Sequence, residues 1–458
     1  MFFPARSSLA AMLLAATTFA SPALAAVTYI GEAAIPGGTD MSGLSGLLED
    51  GLSGNRLGAF GSGMAYNPVT GSYYMTPDRG PNAVAYSGGT AVDNTTSYQS
   101  RFNEFRLTVN PGAGVGGSGG SVSYNLVGTT LLTTESGAAL NGLSSNFANR
   151  FDPEGVRVSK NGDRLYVSDE YGPKVSEFDA RTGKRLRDFT LPSGFTIASP
   201  NSVGANELPA ANTSGRQANR GAESLAISPD GKKLFMATQN PLIQDGALSP
   251  GNSRRGTNIR IVQFDIESGA AEKQFLYVLG DGTTNAPDGG RSLGINDMVA
   301  VNDHEFLIVE RDGNAGAAAV VKRVVKIDLT GATDISGIAT LQQTGVPPGV
   351  TPVTKTTFID LLSSAFGLAG ADFAEKIEGL AFAPDLADGR HTLLVSTDND
   401  FLSAPTHIYA FAISAGDLAY VAQEAPEPAS LTLLGLGLLG TAALRSRRIR
   451  RAPRQPAA

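Results

Sequence analysis

Three glutamates, Glu154, Glu223 and Glu378, each open an apolar strand pattern. Polar clusters close the strands that follow: Asp78-Arg79, Asp169-Glu170, Gln239-Asn240, Glu310-Arg311-Asp312 and Asp398-Asn399-Asp400. Carboxylates brought together repel one another unless a cation or a basic group intervenes. Hard cations such as Ca²⁺ take about six to eight oxygens from carboxylates, amides and carbonyls. Asp78, Asp169, Glu170, Glu310, Asp312, Asp398, Asn399 and Asp400 are therefore the candidate metal ligands, with Ca²⁺ the expected ion. Arg79 and Arg311 bring guanidinium forks that match phosphate or carboxylate. Together with Glu154, Glu223 and Glu378 as candidate general bases, they form the candidate catalytic set. The competing account is that Asp and Asn cap the backbone of strand-closing turns. It is weaker for the set as a whole, because Glu is a poor turn former yet recurs at the strand starts.

The elements that must position these residues repeat. Residues 61–80, 152–172, 221–241, 295–313 and 376–400 each read as a strand, a turn, a second strand and a polar cluster, with Ser62 in the first copy where others carry Glu. In the third copy Ser-Leu-Ala-Ile-Ser alternates, turns at Pro229-Asp230-Gly231, and alternates again, which is a hairpin with its turn chemistry in place. Self-similarity on this scale marks a repeat architecture. The pattern predicts an all-β fold, a β-propeller whose innermost strands line the axis and whose polar clusters converge. Copies start farther apart than the roughly 40–50 residues of one blade, so long inserted loops are expected. A sixth blade is expected from residues 102–132 or from closure by the two ends, making the propeller six-bladed. A β-sandwich is disfavoured because it would not repeat one hairpin signature. Residues 111–121, 244–257, 282–291 and 344–356 read as loops, and 358–366 and 371–377 as short helices.

The ends read as processing signals. Residues 1–25 carry one charge, Arg6, then the apolar run 9–20, then Ala23-Leu24-Ala25, as a secretory signal peptide does. Residues 26–425 form the single expected domain. In the tail, Pro426-Glu427-Pro428 precedes 16 uncharged residues (429–444) and an arginine cluster from Arg445 to Arg451. That run is slightly short of the ~20 residues that span a bilayer comfortably. The tail, 426–451, resembles the PEP-CTERM sorting signal of Gram-negative bacteria. The resemblance implies an exosortase-type processing protease, transient membrane anchoring and a cell-surface location, in a setting associated with exopolysaccharide.

Composition narrows the classes. The chain has no cysteine, which excludes disulfide and thiolate chemistry, and no tryptophan. Setting aside Arg6, the six tail arginines and Glu427 leaves 29 basic against 42 acidic residues. Such a balance argues against nucleic acid as a partner and is compatible with cation binding. His304, His391 and His407 are scattered, two of them in repeat turns, and read as surface residues. No nucleophile elbow, phosphate loop, dinucleotide fingerprint or zinc motif is present.

At the polar clusters the chain resembles the bacterial phytase-like domain family, described as having esterase-like activity of phytase. The motifs are Asp78-Arg79-Gly80-Pro81-Asn82, Asp152-Pro153-Glu154-Gly155, Ser168-Asp169-Glu170-Tyr171-Gly172-Pro173, Asn219-Arg220-Gly221-Ala222-Glu223, Gln239-Asn240-Pro241-Leu242, Glu310-Arg311-Asp312, Lys376-Ile377-Glu378-Gly379 and Thr397-Asp398-Asn399-Asp400-Phe401. The chain departs from the usual Glu-Gly pair at Glu223-Ser224 and at Asn296-Asp297. The resemblance implies metal-assisted hydrolysis of a small anionic ester, either a phosphoester or a carboxylic ester. The alternative is a non-enzymatic, calcium-stabilised propeller that binds exopolysaccharide or a surface protein. A quinone-dependent sugar dehydrogenase is disfavoured, since no histidine falls in the clusters.

Overall fold

The computed structural model describes residues 27–83, 94–248, 254–285 and 292–423. The expected signal peptide and sorting tail lie outside these residues. Among the described residues, no helix is long and apolar enough to cross a membrane.

Five four-stranded antiparallel sheets surround one axis. The first blade runs Gly63–Asn67, Ser72–Thr76, Arg101–Asn110, Ser121–Leu131. The second is Pro153–Val158, Arg164–Asp169, Lys174–Asp179, Arg185–Asp188, and the third is Ala222–Ile227, Lys233–Thr238, Asn258–Asp265, Ala271–Val278. The fourth is Gly294–Ala300, Glu305–Arg311, Lys322–Asp328, Thr354–Asp360. The fifth takes Lys376–Ala383, His391–Asp398 and Thr406–Ile413 from the end of the domain and Val27–Ile35 from its start. In each blade the first strand is innermost. These five strands touch in a closed ring, blade one to two, three, four, five and back to one.

The propeller therefore has five blades, not six. Residues 102–132 do not make a blade of their own. Tyr73 pairs with Phe105 and Phe102 with Thr130, so this stretch supplies the outer half of blade one. Nor do the chain ends add a blade: Val27 pairs with Ile413 and Ile35 with Thr406, completing blade five. The expected helices over 358–366 and 371–377 are also absent. Thr356, Thr357 and Ile359 are β-branched and pair with Lys326, Val325 and Val324 at the edge of blade four, and turns lead from there into Lys376–Ala383. The helices among the described residues are four 3₁₀ turns of three or four residues.

The core lies between blades. Ala226, Phe235 and Ile261 of blade three pack on Met298, Phe306 and Ile308 of blade four. Phe235 and Phe306 meet edge to face, with ring centroids 4.6 Å apart. Each such ring contributes roughly 1.5–3 kcal/mol through burial, and a cluster of buried apolar side chains lies between every pair of neighbouring blades. Blades are thereby wedged around the axis, which holds the inner strands in register with one another.

Candidate functional site

Each inner strand begins at the same end of the axis. In four of the five, the pairing with the second strand slips at this level, between Pro153 and Val156, Ala222 and Ser224, Ile295 and Met298, and Ile377 and Leu380. Such bulges re-aim side chains, and they are common beside functional sites. The residues set into them are Glu154, Glu223, Asn296 and Glu378. Blade one pairs regularly from Gly63 and carries Ser62 at the matching place. In the bulge of blade two glycine fits where backbones crowd. A Cβ on Gly155 would stand 2.7 Å from the Glu223 carbonyl oxygen and 2.7 Å from the Leu225 nitrogen. Asn296, not Asp297, thus takes the glutamate position in blade four.

The ring is buried and linked. Asn296 Nδ2 donates to Glu223 Oε1 at 2.6 Å and to Glu378 Oε1 at 3.3 Å. Gln239 Nε2 also donates to Glu223 Oε1, at 2.6 Å. Arg311 Nη2 donates to Glu378 Oε1 at 2.8 Å. Glu223 Oε2 and Glu378 Oε2 are buried with no hydrogen-bond partner among the described residues. Burial, reinforced by Glu170 and Glu378, pushes the Glu223 carboxyl well above its usual range. Burial, then Glu223, Asp152 and Glu170, does the same to Glu154.

Around the ring stand the strand-end clusters. The Arg79 amide donates to Asp152 Oδ1 at 2.8 Å, its guanidinium lies 3.5 Å from Asp152 Oδ2, and it donates to Asn219 Oδ1 at 2.6 Å. Oxygens of Asp152, Glu154 and Glu170 lie within 4.8 Å of one another. The same holds for Asp78, Asp398 and Asp400. Into that second group Lys376 inserts its ammonium, 2.8 Å from Asp398 and 3.8 Å from Asp78, and it pairs with Asp400. Burial lowers the Lys376 pKa, but Asp398 and Asp400 outweigh it and hold the ammonium charged.

Other predicted ligands are engaged elsewhere. Glu310 accepts from Tyr277 at 2.6 Å, the Gly280 amide at 3.2 Å, Arg323 at 3.0 Å and Lys355 at 3.0 Å, between blades three and four. Asp312 takes the amides of Asn314, Val320 and Val321 and the Lys322 ammonium. Asp169 takes the amides of Asp152, Tyr171 and Gly172. Asn399 Oδ1 accepts from the amides of Ala59 and Phe401. In these three residues the turn-capping role holds the side chain. The histidines pair with Asp328, Asp385 and Glu32, away from the ring.

Sequence reasoning gave no role to Asp152, Arg220, Asn296 and Lys376. Arg220 sits among the carboxylates: burial lowers its pKa, while Glu170, Glu223 and Glu378 support its charge. The available signal was position. Asp152 and Lys376 stand two residues before a ring glutamate, and Arg220 stands three before.

Several known proteins are similar to this chain. Residues 55–401 match the phytase-like family, described as esterase-like activity of phytase, and residues 424–448 match the PEP-CTERM protein-sorting motif. A relative from Arthroderma benhamiae, described as an uncharacterized secreted protein, is 27% identical over 443 residues, covering 76% of this chain and 84% of its own. The sorting motif and the secreted relative support export and a surface location, and the motif implies processing by an exosortase. Among solved structures, Myxococcus xanthus glutaminyl cyclase is similar at 13% identity and a TM-score of 0.33, over 83% of this chain and 97% of that one. Kuenenia stuttgartiensis hydrazine synthase is similar at 11% and 0.32, over 74% and 77%. Likenesses this low carry no argument about activity. With its motifs set in order around one axis and matched across 55–401, the chain belongs to the phytase-like family.

Proposed function

We propose that this exported propeller is a hydrolase of small anionic esters, phosphoesters or carboxylic esters, and that it works at the glutamate end of its axis. The observation that carries the reading is the meeting of Arg79, Arg220 and Arg311 with buried carboxylates that retain bare oxygens, Glu223 Oε2 and Glu378 Oε2. Leaving a buried polar atom unpaired costs about 1–3 kcal/mol.

The two carboxylate groups differ in their fit to a cation. Asp78, Asp398 and Asp400 already hold the Lys376 ammonium. In the other group Asp152 faces the Arg79 guanidinium at 3.5 Å, whereas Glu154, nine-tenths buried, has no side-chain hydrogen-bond partner among the described residues. That group fits a hard cation, so Asp152, Glu154 and Glu170 would hold Ca²⁺. When bound, Ca²⁺ polarises an ester oxygen and lowers the pKa of water. Glu223 is the general base: Gln239 and Asn296 pin Oε1, and Oε2 takes the proton of the attacking water. Burial, which raises its pKa, makes it a stronger base than an exposed carboxylate. Arg311, oriented by Glu378, and Arg79, oriented by Asp152, neutralise the anionic group as charge develops.

The test is hydrolysis of phosphomonoester and carboxylic ester panels by the purified exported protein, with Ca²⁺ and after EDTA. Glu223→Gln is expected to lower turnover by about 10²–10⁴-fold with the circular dichroism spectrum unchanged. Ca²⁺ at a hundredfold excess over Kd is expected to add about 2.7 kcal/mol of stability. No hydrolysis by wild type, with equal exopolysaccharide binding by wild type, Glu223→Gln and Arg311→Ala, establishes the binding module instead.

A further inference from the structure

The far end of the axis is crossed by residues 418–423, which follow the last strand of blade five. A cavity of about 340 Å³ opens there, between the last residues of the inner strands, such as Val158, Ile227 and Ala300. Arg157 lies on its inner side. Leu418 is buried, and residues 420–423 form one wall. The Tyr420 ring stacks on Phe382 of blade five, with centroids 3.8 Å apart and planes at 24°. The Val421 amide donates to the Val301 carbonyl at 2.7 Å, and Asn302 Nδ2 donates to the Ala419 carbonyl at 3.2 Å, both after blade four's inner strand. The Gln423 side chain, with its amide turned to satisfy both neighbours, donates to the Val158 carbonyl at 3.2 Å and accepts from the Lys160 amide at 3.0 Å, at blade two. This strap crosses the axis from blades four and five to blade two, at the mouth opposite Glu154, Glu223 and Glu378.

We infer that the strap orients the propeller on a lipid surface, with its far mouth toward the bilayer and the glutamate mouth away from it. Only residues 424–428 lie between Gln423 and the uncharged run 429–444. Five residues reach at most about 18 Å. Three strand spacings put the rim of a blade about 14 Å outside its inner strand, and six residues of strand are about 20 Å tall. A tether leaving the centre of one face needs about 35 Å to pass over the rim to the other, about twice its reach. The inference rests on insertion of the uncharged run and is independent of whether the site hydrolyses anything. Substrates would arrive from the side away from the membrane while the chain is anchored, and cleavage beyond residue 423 would leave the strap seated.

The absence of cysteine makes a direct test simple. Asn161→Cys and Asp303→Cys place a fluorophore at the strap mouth; Ala315→Cys and Leu402→Cys place it at the glutamate mouth. All four positions are exposed. The full chain is bound to anionic phospholipid vesicles carrying a headgroup-linked quencher. Quenching at the strap-mouth labels is expected to be at least about twofold stronger, since the mouths are about 20 Å apart. Tyr420→Ala with Val421→Asp should loosen the strap and abolish the difference, while an unchanged melting temperature shows that the blades remain folded. If the double variant unfolds, Gln423→Ala, which removes only the contact to blade two, is expected to reduce the difference. Equal quenching at both mouths, the reverse order, failure of the full chain to bind the vesicles, or a difference untouched by either strap variant overturns the inference.

Discussion

Asn296 occupies the place at which three other blades present glutamate. Its amide donates to Glu223 on one side and Glu378 on the other, so the substitution supplies donors where a fourth carboxylate would add charge. Asn296→Asp is expected to destabilise the protein by about 1–3 kcal/mol in chelator at pH 7.5, measured by urea unfolding. An unchanged midpoint sinks this role. The three ring glutamates were legible in the sequence because Glu at a strand start has no competing use in a turn. Asp169, Asp312 and Asn399 were not separable from ligands by residue type. An Asp that caps backbone amides and an Asp that waits for a cation look alike until the amides are located. Lys376 was visible as a letter, but its insertion between Asp78, Asp398 and Asp400 depends on two blades meeting.

Among the elements, the inner strands carry two devices that sequence periodicity does not display. One is glycine at backbone crossings. A Cβ on Gly63 would collide with the Glu154 carbonyl oxygen, whereas one on Gly38 meets nothing within 4 Å. Gly63→Ala is expected to cost about 1–3 kcal/mol and Gly38→Ala less than about 0.5 kcal/mol in thermal unfolding. Equal costs would show that the crossing is not tight. The other device is the Arg157–Asp297 pair, 2.9 Å apart, between the two mouths. Arg157 also donates to the Met64 carbonyl at 2.9 Å, and Asp297 accepts from the Leu380 amide at 2.9 Å, so the pair ties together the inner strands of blades one, two, four and five. Burial pushes Asp297 up to about 6, against the pull of Arg157. The folded protein thus holds this proton more tightly than the unfolded chain, where Asp titrates near about 3.9. Stability from this residue is greatest below about pH 4, falls as pH rises to about 6, and is level above, by at most about 3 kcal/mol. Asp297→Asn should flatten that part of the stability curve, so the gap between wild type and variant should narrow by up to about 3 kcal/mol as pH rises from about 4 to about 6. Identical pH slopes in wild type and variant would refute the assignment.

For the whole molecule, the propeller and its repeat were readable because the five hairpin signatures are local, and each became one blade. The blade count failed where pairing is not local. Nothing in residues 102–132 announces that they complete a sheet begun at Gly63, and nothing in Val27–Ile35 announces a partner at the other end of the domain. Removing Val27–Ile35 is expected to expose the edge of Thr406–Ile413 and to give aggregated or unfolded protein in size-exclusion chromatography. A monomeric, cooperatively melting product would mean that the fifth blade stands without it.

That same strand sets an order in time. Ile35 is among the first parts of the domain to cross the membrane, and its partner Thr406 is among the last. Bringing such distant segments together carries the largest loop-closure entropy in the fold, so this pairing is a late event that waits for nearly the whole chain. Until Thr406 has crossed, Val27–Ile35 has no partner strand to pair with, and blade five stays incomplete.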